Sequence, residues 1–377
     1  MRDLLGVRMD AGATKSQDEA AIMLEERIVK YLKNEGLSPF SAKVALGFLQ
    51  GQLQKEGGFE RLKRVNLYLQ AALNGSRTHV NPLQKGCPNI IPGLRAQPYW
   101  DTTDLDAFPW IPELEAAFPA IKEEFMSLVG TAGLFQPYRS PAEGDATSGI
   151  SSSSSSSSDK VAADMLGKLA TSSGDWNVCY LYLHGLNFDS NLEKLPVTTA
   201  TLGKIPRFYN HAFLSALVPG TTIIPHYGPT NKKLRCHLPL LVPGEGTSCL
   251  VVSGEERPLR AGKCTIFDDS FEHSSRNTGA SSRVVLIFDV WHPDLQPEEV
   301  KFMGFINKAQ IAAARKMKEQ LQGEASDFLS VIERSRAQAK AEADGGAGNE
   351  PSASAATEIT SVWECDVTPD ETSTKNY

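Results

Sequence analysis

Two histidines of this 377-residue chain have the residue type and the placement that a metal needs: His226 in Pro225-His226-Tyr227-Gly228, and His273 closing Phe267-Asp268-Asp269-Ser270-Phe271-Glu272-His273. Neutral imidazole suits iron, copper, nickel and zinc. A pair drawn from separate strands leaves coordination positions open, as in the two-histidine, one-carboxylate arrangement of non-haem Fe(II) sites. In that arrangement the carboxylate stands two residues after the first histidine, and here position 228 is glycine. Two ligands hold a metal weakly, so either a water takes the remaining place or the site is dead. Asp268 and Asp269 lie just before His273, and a carboxylate there can hydrogen-bond a metal-bound water; Asp269 is the expected one.

The elements that must position these residues read as short β-prone runs: 178–183, 213–218, 221–225, 234–242, 248–253, 264–268 and 284–290. Glycine turns separate them at Gly244-Glu245-Gly246, Ser253-Gly254-Glu255 and Thr278-Gly279. Short strands at regular spacing with glycine turns predict a sandwich or barrel. Between Thr221 and Pro293 the runs carry Arg235, His237 and Arg283 to strand ends and turns, where side chains of several strands converge.

Taken in order, these motifs resemble the catalytic domain of the aspartyl/asparaginyl β-hydroxylase family. The matching residues are the HxGPTN run from His226 to Asn231, Arg235 with His237, the FDDSFEH run ending in His273, Arg283, and DVWHP from Asp289 to Pro293. Pro92 to Trp100 is similar to the family's opening segment, so the resemblance covers about 92–295. It implies a mainly β fold with flanking helices around a double-stranded β-helix, a jelly-roll or cupin-like core. It also implies a 2-oxoglutarate- and Fe(II)-dependent dioxygenase whose metal is held by His226 and His273 without a carboxylate, which is what glycine at 228 fits.

The resemblance further assigns roles around 2-oxoglutarate. Arg283 matches the clamp on its far carboxylate and Ser215 the hydroxyl that helps it; Arg235 and His237 match the pair near the chelating end, and Trp176 an aromatic lining the site. Oxidative decarboxylation by O2 would yield succinate and CO2 and hydroxylate an unactivated carbon. The substrate implied first is the β-carbon of Asp or Asn in a peptide or protein. Alternatives are a lipid acyl chain, a small acid, or a catalytically silent domain that binds partners. The stretch 184–196 lacks the small disulfide loop of the animal enzymes, a departure that bears on which modules are recognised.

The flanks differ in character. Residues 17–75 predict three helices, with Ile22, Leu24, Ile28, Val29 and Leu32 as one apolar stripe and Ser38-Pro39 opening another helix; the whole of 1–91 is read as a helical N-terminal region. Residues 111–129 predict a further helix. An insertion at 139–160 holds eight consecutive serines, Ser151 to Ser158, too polar to form a packed core and expected to be disordered. Residues 296–340 predict a helical extension, and 341–377 an acidic disordered tail with eight acids and one lysine. The tail alone matches the net charge of −7, leaving the body near neutral and without the basic surface that nucleic acid or anionic membrane would require. Six cysteines without CxxC spacing predict thiols in a reducing compartment. Met1 to Thr14 has no apolar h-region, and no run is apolar enough to span a bilayer, so a cytoplasmic location is expected.

Overall fold

The computed structural model describes residues 11–34, 39–55, 57–75, 81–131, 133–138, 170–183, 185–304 and 306–307. The serine insertion from 139, the acidic tail, most of the C-terminal helical extension, His79, His184 and Cys365 lie outside the described residues.

The N-terminal helices are α1 (Ala11–Asn34), α2 (Pro39–Leu53), the single turn α3 (Gly58–Arg61) and α4 (Lys63–Leu73). Proline stands at the first position of α2, where its missing N–H costs nothing and its fixed φ suits the helix. Leu24, Ile28 and Leu32 recur every four residues and are buried with Ala45 and Leu49 of α2 and Val65 and Leu69 of α4. Ile22, expected on that stripe, is exposed. Two residues before Leu24 a side chain points to nearly the opposite side of the helix. The same cluster takes in Tyr209, Trp291 and Leu295, which ties the helical layer to the β core.

The strands are β1 (Tyr99–Trp100), then after α5 (Ile111–Ser127) β2 (Gln136–Pro137), β3 (Thr171–Ser173), β4 (Trp176–Leu183) and β5 (Leu186–Asn187). After α6 (Asp189–Lys194) and α7 (Pro196–Gly203) come β6 (Phe208–Leu217), β7 (Thr221–His226), β8 (Lys233–Leu241), β9 (Ser248–Val252) and β10 (Glu255–Pro258). The last three are β11 (Thr265–Phe267), β12 (His273–Asn277) and β13 (Arg283–Trp291). They form two antiparallel sheets: one ordered β1-β11-β8-β13-β6-β4-β2, with β5 beside β4, and a smaller one ordered β10-β9-β12-β7-β3.

Alternation along the strands divides the core into two layers. Leu234, Cys236, Leu238 and Leu240 of β8 and Val284, Leu286, Phe288 and Val290 of β13 pack outward with Ile111, Leu114, Ile121 and Phe125 of α5. Phe213, Val285 and Ile287 face inward and meet Leu250 and Val252 of the smaller sheet. Two facing antiparallel sheets joined by such a shared interior, one of them backed by helices, make the double-stranded β-helix expected from the sequence. Among the described residues no helix is long and apolar enough to cross a membrane.

Candidate functional site

His226 and His273 are direct cross-strand partners of β7 and β12, with ring centroids 4.1 Å apart. His226 Nδ1 lies 2.8 Å from the Ile224 carbonyl and His273 Nδ1 lies 3.0 Å from the Phe271 carbonyl. A carbonyl only accepts, so both Nδ1 atoms carry the proton and both Nε2 atoms keep a free lone pair. Burial is the main cause that lowers both pKa values, and that of His273 falls well below the ordinary 6.5, pushed further by His226 and Arg235. The pair is therefore neutral at physiological pH, the form that binds a metal. Among the described residues no three His, Cys, Asp or Glu side chains converge as a metal cluster.

Close packing by Asp269 explains glycine at 228. A Cβ there would lie 2.5 Å from Asp269 Cγ and 2.8 Å from the Asp269 carbonyl oxygen, which accepts the Gly228 N–H at 2.6 Å. The carboxyl group beside the histidine pair thus comes from the 268–271 turn, whose chain leaves no space for a side chain at 228. We expect Gly228→Ala to cost about 1–3 kcal/mol in stability through this overlap and to weaken metal binding by displacing Asp269, measured by thermal melting and metal titration. Unchanged melting would mean that the turn yields freely.

Asp269 is itself held. Its Oδ2 accepts from Lys233 Nζ at 2.6 Å and pairs with Arg235 at 3.4 Å, while Oδ1 is buried with no hydrogen-bond partner. Lys233 also pairs with Asp289 at 3.0 Å, and Arg235 grips Asp289 through Nε at 2.9 Å and a terminal nitrogen at 3.1 Å. Burial works to raise the Asp289 pKa, but Arg235 and Lys233 outweigh it and keep the carboxylate ionised. Two cations and two anions thus balance in a network that fixes one oxygen of Asp269 and leaves the other without a hydrogen bond.

Across the interior the larger sheet brings the other expected residues together. Arg283 is 1% exposed, Nη1 donates to Ser275 Oγ at 2.6 Å, and Nε has no partner. No acidic side chain pairs with it among the described residues, and burial alone lowers its pKa to about 10. Ser275 follows His273 by two residues on β12, so Arg283 touches the strand that carries His273. Ser215 is buried on β6 and accepts the Trp176 indole N–H at 3.0 Å, which leaves its own proton to donate. His237 lies one strand from β6, beyond β13, and is buried against Phe267 with Nδ1 unpartnered. Its pKa is driven far down by burial first and then by Arg283 and Arg235, so it is a neutral donor or acceptor. A buried unpaired guanidinium, a hydroxyl with a spare proton and an unpaired imidazole nitrogen make a receptor for an anion with further polar groups.

A family model described as "Aspartyl/Asparaginyl beta-hydroxylase" matches residues 115–293. Residues 115–293 are thus similar to that family. Aspartate beta-hydroxylase domain-containing protein 2 of Xenopus tropicalis is 41% identical over 139 residues, 34% of this chain and 37% of that protein. Aspartyl/asparaginyl beta-hydroxylase of Homo sapiens is 29% identical over 245 residues, 64% of this chain and 28% of that one. The matches therefore span 37% and 28% of the length of these two relatives. Among solved structures, a 2OG-Fe(II) oxygenase family oxidoreductase from Burkholderia pseudomallei is 13% identical, with 34% of this chain and 74% of that one covered at a TM-score of 0.25.

Around this matched segment the structure adds further residues to the site. Asp289 opens the DVWHP motif and Lys233 lies between two of the motifs, and the pairing of β8 with β13 brings them together. Gln84 lies 31 residues before the family match begins, yet its buried amide donates to Ser270 Oγ at 2.7 Å and Asp268 at 3.2 Å. Asp268 is thereby engaged by Gln84 and Ser270, and burial is what raises its pKa to about 7, whereas Oδ1 of Asp269 has no hydrogen-bond partner. His292 is held by the backbone, donating from Nε2 to the Arg95 carbonyl at 3.1 Å and accepting the Asp294 N–H at Nδ1.

Proposed function

We propose that this domain is an Fe(II)- and 2-oxoglutarate-dependent dioxygenase that hydroxylates the β-carbon of Asp or Asn in a peptide or protein. The observation that carries the reading is the pairing of two imidazoles whose Nε2 lone pairs are free with a nearby buried guanidinium that has no anion. Iron, when bound, supplies the redox chemistry that couples oxidative decarboxylation of 2-oxoglutarate by O2 to hydroxylation of an unactivated carbon. His226 and His273 would hold it, their rings oriented by backbone carbonyls. Arg283 and Ser215 would hold the far carboxylate of 2-oxoglutarate by charge-assisted hydrogen bonds, each worth about 1.5–3 kcal/mol. His237 and Arg235 face the chelating end, and Trp176 walls the cavity.

Asp269 takes the part of the missing ligand at one remove. Lys233 and Arg235 fix its Oδ2, so the unpartnered buried Oδ1 is the acceptor available to a water that completes the metal's shell. Asp269→Asn keeps the shape and removes the charge, and it should weaken Fe(II) binding by about 10- to 100-fold. Unchanged iron affinity and turnover in both this variant and Asp269→Ala would remove that role.

The peptide substrate is supported by the relative whose name carries the aspartyl/asparaginyl activity, with 64% of this chain aligned to it. The test of the chemistry is anaerobic titration with Fe(II) and then 2-oxoglutarate. A visible charge-transfer band that saturates with 2-oxoglutarate is expected; its absence under well-reduced conditions would favour the silent binding domain. Succinate release stimulated by Asp- or Asn-containing peptides, and not by acyl chains or small acids, would then identify the substrate class.

A further inference from the structure

We propose that Tyr138 is a positioning residue for the anion receptor: its ring holds the Trp176 indole in the orientation that polarises Ser215 toward the cosubstrate carboxylate. The inference rests on the function proposed above and deepens it. Tyr138 lies directly after β2, at the edge of the larger sheet, and its backbone N–H donates to the Trp176 carbonyl at 2.8 Å. Its ring is stacked on the Trp176 indole with centroids 3.6 Å apart and planes inclined by only 16°. Aromatic pairs add about 0.5–1.5 kcal/mol beyond area burial, enough to select one side-chain orientation.

That orientation matters because of what lies on the other edge of the indole. Trp176 Nε1 donates to Ser215 Oγ at 3.0 Å, and Ser215 is completely buried. A hydroxyl whose oxygen already accepts one hydrogen bond is polarised as a donor, and its remaining proton needs an acceptor. Ser215 pairs with Val285 on β13, two residues from Arg283 on the same face. Trp176 pairs with Leu217, which in turn pairs with Arg283. An acceptor at the guanidinium is therefore within reach of the hydroxyl. Trp176 is only part-buried, and Tyr138 covers one face of its ring, which holds the plane in which its N–H meets Ser215. The order of contacts runs Tyr138 ring, Trp176 indole, Ser215 hydroxyl, and then the carboxylate shared with Arg283.

The test uses the full chain loaded with Fe(II) under anaerobic conditions, and it reads 2-oxoglutarate dissociation constants from the charge-transfer band, apart from any turnover. Tyr138→Ala should weaken 2-oxoglutarate binding about tenfold with Fe(II) affinity unchanged within about twofold, and Tyr138→Phe should restore wild-type affinity, since the ring does the positioning. In a Ser215→Ala background the same Tyr138→Ala change should weaken binding less than twofold, because the hydroxyl it acts through is gone. Tyr138→Leu provides a folded comparison with apolar bulk and no flat ring, and it should behave as Tyr138→Ala does. Wild-type affinity in Tyr138→Ala, or an undiminished loss in the Ser215→Ala background, would overturn the proposal while leaving the oxygenase reading intact. No band in the wild-type protein would remove both.

Discussion

Arg283→Leu should abolish cosubstrate binding and at the same time make the ligand-free protein more stable. The guanidinium is buried on the floor of the interior with a single neutral partner, Ser275, and burial alone depresses its pKa. A buried cation without an anion is costly, and replacing buried ionic groups by apolar ones of similar volume commonly stabilises a fold by about 1–4 kcal/mol. The melting temperature of the apo variant should therefore rise by several degrees. The sign reverses with 2-oxoglutarate present. Truncating one partner of a buried, hydrogen-bonded charge pair costs about 2–5 kcal/mol, and each 1.4 kcal/mol is about tenfold in affinity. A loss of two to three orders of magnitude in 2-oxoglutarate affinity is expected, and ligand-induced thermal stabilisation should vanish. Equal melting temperatures for the two apo proteins would mean that Arg283 is already neutralised in solution, and the receptor argument would fail.

His226→Ala or His273→Ala should each eliminate tight Fe(II) binding. With only two protein ligands, loss of one leaves a single imidazole, and a drop of at least about 100-fold is expected, beyond what outer-sphere changes produce. The fold should survive in His226→Ala, because His226 is part-exposed at the end of β7; His273, buried between β7 and β9, is the riskier site. Because burial keeps both imidazoles neutral below pH 6.5, metal affinity should stay level as pH falls through that value and decline only in more acid solution. An unshifted pair would begin to lose its metal at 6.5. Calorimetric titration with Fe(II) or Mn(II) at several pH values separates these outcomes, and retention of tight binding in both alanine variants would show that the metal lies elsewhere.

Much of this was readable beforehand, for identifiable reasons. In β8 the run Lys233-Leu234-Arg235-Cys236-His237-Leu238 alternates polar and apolar residues, so strand type and the residues facing the site can be read from period two. In β13 they cannot. Arg283 to Trp291 is buried at every position, and its apolar run hides that the odd-numbered residues face the site while the even-numbered ones meet α5. The strand β12 was missed altogether, since His273-Ser274-Ser275-Arg276-Asn277 has neither β-branched nor apolar residues after the histidine. It is a strand because β7 and β9 pair with it on both sides, a tertiary cause that outweighs weak local propensity.

By itself, the sequence determined the chemical types in play: two imidazoles in separate runs, a glycine where a carboxylate is common, two arginines downstream and the glycine-punctuated strands of a β core. These are local properties of residue and spacing. The tertiary structure decided what is paired and what is not. Arg235 and Lys233 are neutralised by Asp269 and Asp289, Arg283 has no anion, and glycine at 228 makes room for Asp269 from a turn 41 residues further on. Pairing and burial depend on segments distant in the chain meeting across two sheets, so no local pattern encodes them. In this protein the difference between a structural cation and one awaiting a ligand is made there.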